Sequence, residues 1–174
     1  MKRAICAACI LLALSSCGKK MPAAAPMRAQ LDRVIDGNTL VVVTAEGVSE
    51  TVRLIGVRVP GREGNRRAAT WLRWAYDEGY PLLLTFDTQE RDKDGRLLAY
   101  VFAGKGTEGV SPEKVARMNE RSQSMHALMI DGRVYGFVNA SLIKGGRAQP
   151  ARESRNTKYA DLFRNLHQAS VDRQ

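Results

Sequence analysis

Val34-Ile35-Asp36-Gly37-Asn38-Thr39 is the first of three blocks whose reading decides the fold. Val52-Arg53-Leu54-Ile55-Gly56-Val57-Arg58-Val59-Pro60 and Asp92-Lys93-Asp94-Gly95-Arg96-Leu97-Leu98-Ala99-Tyr100 follow it in order. In the first block, residues that tolerate positive φ (Asp36-Gly37-Asn38) separate a short strand, Leu31 to Val34, from a β-branched one, Leu40 to Val43. Glu46-Gly47 turns the chain into a third strand, Thr51 to Val57, which completes a meander of alternating and buried runs.

Outward from these blocks the period changes. Ala68, Ala69, Leu72 and Ala75 fall at helical spacing within Arg62 to Tyr80, with Trp71 and Trp74 alongside and Gly79 as the expected C-cap. Leu82 to Asp87 and Leu97 to Phe102 read as two more strands around the Asp94-Gly95 turn. Phe137 to Gly146 reads as a short helix, and Lys158 to Ala169 as the last. Strands that return to one another with one intervening helix predict an α+β fold. Its core is a five-stranded OB-type barrel with about three helices and an inserted helical segment.

The insertion is placed near residues 105–132. Ser111-Pro112-Glu113 is a helix start, with Ser at the N-cap, Pro in the first turn and an acid facing the dipole. Val115, Met118, Met125 and Met129 then fall near one face. Such a stripe reads either as a lid on the core or as an adaptable surface for a protein partner.

The N-terminus reads as an export signal. Lys2 and Arg3 precede an apolar stretch, Ala4 to Leu14, that is short for a bilayer span. Leu14-Ser15-Ser16-Cys17 matches a bacterial lipobox, so residues 1–16 are expected to leave and Cys17 to carry lipid. Residues 17–29, Ala- and Pro-rich, form the tether, and the domain is expected over 30–170. The expected location is the cell envelope, anchored to a membrane and facing the periplasm or exterior. Gly18 after the cysteine points to the outer membrane in a Gram-negative host.

Cys6 and Cys9 would leave with the signal and Cys17 would be acylated, which leaves no thiol for a disulfide or a zinc site. His126 and His167, far apart, do not make a histidine metal site. The full chain carries a net charge of +9. Lys2 and Arg3 go with the signal, so 27 basic residues become 25 against 18 acidic ones. That excess directs attention to polyanions.

In order and spacing, the three blocks resemble the thermonuclease family, as does Val138-Asn139 with Leu142-Ile143 and Gly146. The resemblance covers most of 31–104 and 133–168. It implies a nuclease site with one calcium between two aspartates and a backbone carbonyl, a glutamate base and two phosphate-gripping arginines. Calcium needs several hard oxygens, the attacking water an acceptor within reach, and the phosphate a planar guanidinium.

Carried over position by position, the metal ligands become Asn38, Arg58 and the carbonyl of Val59, while the base becomes Gly61. A cation about 4 Å from the metal repels each of its charges by roughly 4 kcal/mol at an effective dielectric of ~20. Calcium is therefore expected to be lost, and no other cofactor is implied.

Arg53 and Arg96 keep the phosphate-gripping places, and Arg58 adds a third cation, with Arg62, Arg66 and Arg67 following. The expected site is an anion pocket of Arg53, Arg58 and Arg96, suited to phosphate or nucleic acid. The opposing reading pairs Arg53 and Arg96 with Asp36, Asp92 or Asp94 at the barrel rim. Two further alternatives stay open: a nuclease rearranged around Asp36 and Glu63, and a membrane scaffold whose insertion binds protein. Tyr100, Tyr159 and Phe163 read either as base-stacking rings or as core.

Overall fold

A computed structural model describes residues 25–151 and 155–173 of the 174. Cys17, the signal and most of the tether lie outside the described residues. The chain runs β1 (Met27–Asp36), β2 (Thr39–Thr44), β3 (Ser49–Leu54), β4 (Val57–Arg58), α1 (Gly61–Ala75), β5 (Pro81–Thr85) and β6 (Leu97–Thr107). Then come α2 (Pro112–Arg121), β7 (Ala127–Ile130), β8 (Arg133–Phe137), α3 (Val138–Lys144), β9 (Gln149–Pro150) and α4 (Ala160–Val171).

Five strands close the barrel. β1 pairs antiparallel with β2 and β5, β2 with β3, and β5 with β6. Parallel pairing of Val52, Arg53 and Leu54 with Leu97, Leu98 and Ala99 joins β3 to β6 and removes the open edge. This is the mixed five-stranded α+β barrel expected of the sequence, with four helices among the described residues. Val42, Val52, Leu84, Val101 and Phe102 fill its interior.

The third strand is shorter than Thr51 to Val57. It stops at Leu54 because Gly56 turns at φ +70, where Phe163 of α4 packs. A Cβ on Gly56 would fall 2.6 Å from the Phe163 ring. β4 begins beyond the turn and pairs with β9 instead.

α1 also departs from the periodicity, ending at Ala75 rather than near Tyr80. The Tyr76 N–H still closes on the Leu72 carbonyl at 3.0 Å, but its backbone is extended and its ring meets Trp71 and Tyr80 edge-on. Gly79 is not a helix cap; its N–H donates to the Leu31 carbonyl at 2.7 Å.

The segment 105–132 is more than helical. β6 continues to Thr107, α2 follows, and β7 forms a hairpin with β8 over Asp131-Gly132. Ser111 Oγ accepts the Lys114 N–H at 3.3 Å, so the expected N-cap is made. Asn119 clamps α2 to β7, donating to the Ala127 carbonyl at 2.9 Å and accepting the Ala127 N–H at 2.7 Å. Val115 is buried, while Met118 and Met125 stay exposed, so the methionines do not form a packed stripe.

Asn139 locks α3 onto the barrel. Wholly buried, it accepts the Val101 N–H and donates to the Ile55 carbonyl, both at 2.9 Å. A polar side chain at that depth is tolerable only when paired in this way. It fixes the β3–β4 turn that carries the site.

Candidate anion-binding cleft

A cleft of about 500 Å³ opens where β3, the Gly56 turn and β4 meet the loop before β6 and the segment before α4. Arg53, Arg58 and Arg155 line it, with Gln89, Asn156 and Asp92. Parallel pairing with β6 holds Arg53 opposite Leu98, while Arg58 on β4 lies opposite Gln149 of β9. Asn156 fastens the far wall through both backbone groups of Gln89, at 2.7 and 2.8 Å.

Asn38 organises the floor. It is 6 % exposed, its Nδ2 donates to the Val57 carbonyl at 3.0 Å, and its Oδ1 accepts from Arg53 Nη1 at 3.3 Å. The amide thus bridges β2, β3 and β4 with one donor and one acceptor. Asp36 sits outside this contact, its Oδ1 accepting the Asn38 N–H at 2.9 Å.

Arg96 is placed differently from the expected trio. It does not line the cleft; its Nε donates to Asp92 at 2.7 Å and its Nη2 to Asp94 at 2.8 Å. Asp92 also accepts the backbone N–H groups of Asp94 and Arg96. Burial alone would raise the Asp92 carboxyl, but these hydrogen bonds and the Arg96 charge together hold it below the usual range. Among the described residues the cleft's one acid is therefore already neutralised by Arg96, the pairing that the rim alternative names for Arg96. Arg58 donates to Gln149 Oε1, and among the described residues neither it nor Arg53 pairs with a carboxylate.

The positions downstream of β4 point elsewhere. Gly61 has φ +62, a conformation that would strain any side chain there by about 1–2 kcal/mol. Glu63 is exposed, is held by Arg66 at 3.0 and 2.9 Å, and does not line the cleft. The Arg66 hydrogen bond keeps its carboxyl low, whereas a general base near neutral pH needs the opposite. Tyr100, Tyr159 and Phe163 are core: Tyr100 and Phe163 are almost fully buried, and Tyr100 and Tyr159 meet edge-on at 4.7 Å. The base-stacking reading of these rings does not survive.

The chain is similar in sequence to known proteins. The chain is 33% identical over 105 residues to a thermonuclease of Staphylococcus hyicus, covering 52% of this chain and 62% of that protein. It is 35% identical over 79 residues to one of Staphylococcus intermedius, covering 41% and 46%. The chain is thermonuclease-like. It spans less than two thirds of the length of these relatives. No family model matches it.

In this thermonuclease-like domain the sequence reading missed Arg155, Gln89 and Asn156. None belongs to the three blocks, and the fold alone brings them to the cleft. Arg155 offered one signal, a further cation shortly before the last helix.

Proposed function

We propose that this nuclease-like domain is exported, anchored through lipid on Cys17, and holds a phosphate-bearing polyanion, single-stranded nucleic acid, in the Arg53/Arg58/Arg155 cleft without calcium-dependent hydrolysis. One observation carries the reading: three arginines face a cleft whose one carboxylate among the described residues is already committed to Arg96. A planar guanidinium matches phosphate oxygens bidentately, and the site supplies that chemistry three times over.

The residues present do not fit calcium. The ion takes six to eight oxygens, largely carboxylate. At the places the family likeness assigns to ligands, Asn38 directs its oxygen to Arg53 and Thr39, its nitrogen to Val57, and Arg58 brings a cation. The rearranged nuclease has little support, since Glu63 belongs to Arg66 and Asp36 to the Asn38 turn. The exposed Met118 and Met125 of the insertion favour a second role, contact with a protein partner at the membrane.

Fluorescence anisotropy of the full chain with a short single-stranded oligonucleotide tests the reading. If three arginines make the principal phosphate contacts, the log–log salt slope should be about −2, from ~0.7 per contact. Arg58→Gln should weaken binding to all sequences alike and flatten the slope by roughly 0.7. Binding indifferent to Arg53→Gln and Arg58→Gln would refute the cleft. Cleavage that is faster in calcium than in chelator would refute the loss of hydrolysis.

A further inference from the structure

A second cationic cavity lies between the insertion and the last two helices. It is about 400 Å³ and is lined by Lys144, Arg147 and Arg173 with Gln123, Ser124 and Ser170; among the described residues no carboxylate faces it. Lys144 ends α3, is 7 % exposed as a residue, and lines the cavity. Its Nζ donates to the Asn119 carbonyl, and an Arg173 N–H donates to the Lys144 carbonyl at 2.9 Å. Arg147 folds back across Gly145, where a Cβ would overlap its Nη1, and stacks 4.9 Å from the Trp71 centroid. Among the described residues none of the three pairs with an acid. Asp172, the nearest acid in sequence, accepts from Gln168 instead.

A structural role explains part of this, because cations suit the carbonyl ends of helices. It leaves most donors over: an ammonium has three and a guanidinium five. A buried cation without a counter-charge is costly, and an anion in the cavity would relieve it. We propose that this cavity is a second anion site, selective for a phosphate group, formed by Lys144, Arg147 and Arg173 with the hydroxyl of Ser124; the Ser170 hydroxyl already donates to the His167 carbonyl at 2.7 Å. Burial and then the Arg173 charge depress the Lys144 ammonium, and burial and then Arg67 depress Arg147, as expected of cations crowded without an acid. The site is separate from the Arg53/Arg58 cleft and does not rest on its function.

The test is NMR of the full chain titrated with inorganic phosphate, with ionic strength held by sodium chloride. The amides of Ser124, Gly145 and Gly146 should shift and saturate in the millimolar range, on the order of a modest two- or three-contact site. Arg173→Gln and Lys144→Met should each weaken binding roughly ten-fold or more, the loss of one charge-assisted bond, while Arg58→Gln leaves it intact. Arg173 is exposed, so its replacement tests the site even if Lys144→Met folds poorly. Short-chain phosphatidic acid distinguishes the source. Tighter binding than inorganic phosphate at the same amides assigns a lipid headgroup; equal or weaker binding assigns a free phosphate. Shifts that chloride reproduces, or that persist in both variants, overturn the proposal.

Discussion

Replacing Asn38 by Asp puts back the residue type that the family likeness places at a metal ligand, and the structure says what that costs. Asn38 is buried, with Nδ2 donating to the Val57 carbonyl at 3.0 Å and Oδ1 facing Arg53 at 3.3 Å. A carboxylate keeps the second contact and strengthens it, but it sets an acceptor against the Val57 carbonyl. Leaving that buried pair unsatisfied costs about 1–3 kcal/mol. The gained Arg53 pair returns about 1 kcal/mol at most, because Arg53 reaches solvent. From the middle of that range the net loss is about 1 kcal/mol, or roughly 2–4 °C in Tm for a domain of this size. Urea unfolding at pH 7, in buffer with chelator, measures it. Calcium should not restore the single variant, since Arg58 remains; Asn38→Asp together with Arg58→Asp should gain calcium-dependent stability. A neutral or stabilising Asn38→Asp in chelator would show that the Nδ2 bond to Val57 is not made and would remove the structural account of Asn38.

Lowering pH should weaken the fold before its carboxylates titrate. Burial, and then the Lys144 charge, push the His126 imidazole down to about 4 from 6.5. The unfolded chain thus takes up a proton first, and stability falls as pH drops from about 6.5 toward 4. Linkage gives a loss of about 2 kcal/mol between pH 7 and 5. Denaturation curves of the parent and His126→Gln check this, and an unchanged slope in the variant would refute it. Gly56→Ala should destabilise by roughly 2–5 kcal/mol, from the positive φ and overpacking against Phe163; a near-neutral urea midpoint would contradict the packing described. Cys17→Ala should leave an unprocessed precursor without lipid, and unchanged processing and cell fractionation would count against the anchor.

Local chemistry made much of the fold legible. The Asp36-Gly37-Asn38 turn, the β-branched run of β2 and the Ser111 cap are each set by neighbours within a few residues. Barrel closure is not local: β3 meets β6 in parallel across 45 residues (Val52 to Leu97), and the strand pattern implies a barrel without giving that pairing. The end of α1 was misread because Gly79 is an ordinary stop signal, whereas Tyr76 leaves the helix to join Trp71 and Tyr80. β7 was hidden by the methionines, yet a signal was there. Asp131-Gly132, with φ of 48 and 75, is an Asp-Gly hairpin turn between apolar runs.

The site was legible as positions and not as directions. The three blocks name Arg53, Arg58 and Arg96, but where a guanidinium points depends on which acceptor is nearest. Arg96 has Asp92 four residues before it and Asp94 two before it, both on the same tight turn, and they claim it. Arg53 meets only the neutral Oδ1 of Asn38, so its charge still faces the cleft uncompensated. An aspartate at position 38 would have paired with Arg53 as Asp92 pairs with Arg96. Asn38 thus fits the proposal in two ways: it brings no charge to a metal, and it leaves Arg53 for an anion. The same argument separates Arg58 from a random surface cation. Its partner, Gln149, is also neutral, so β4 and β9 together present a positive edge with no counter-ion among the described residues.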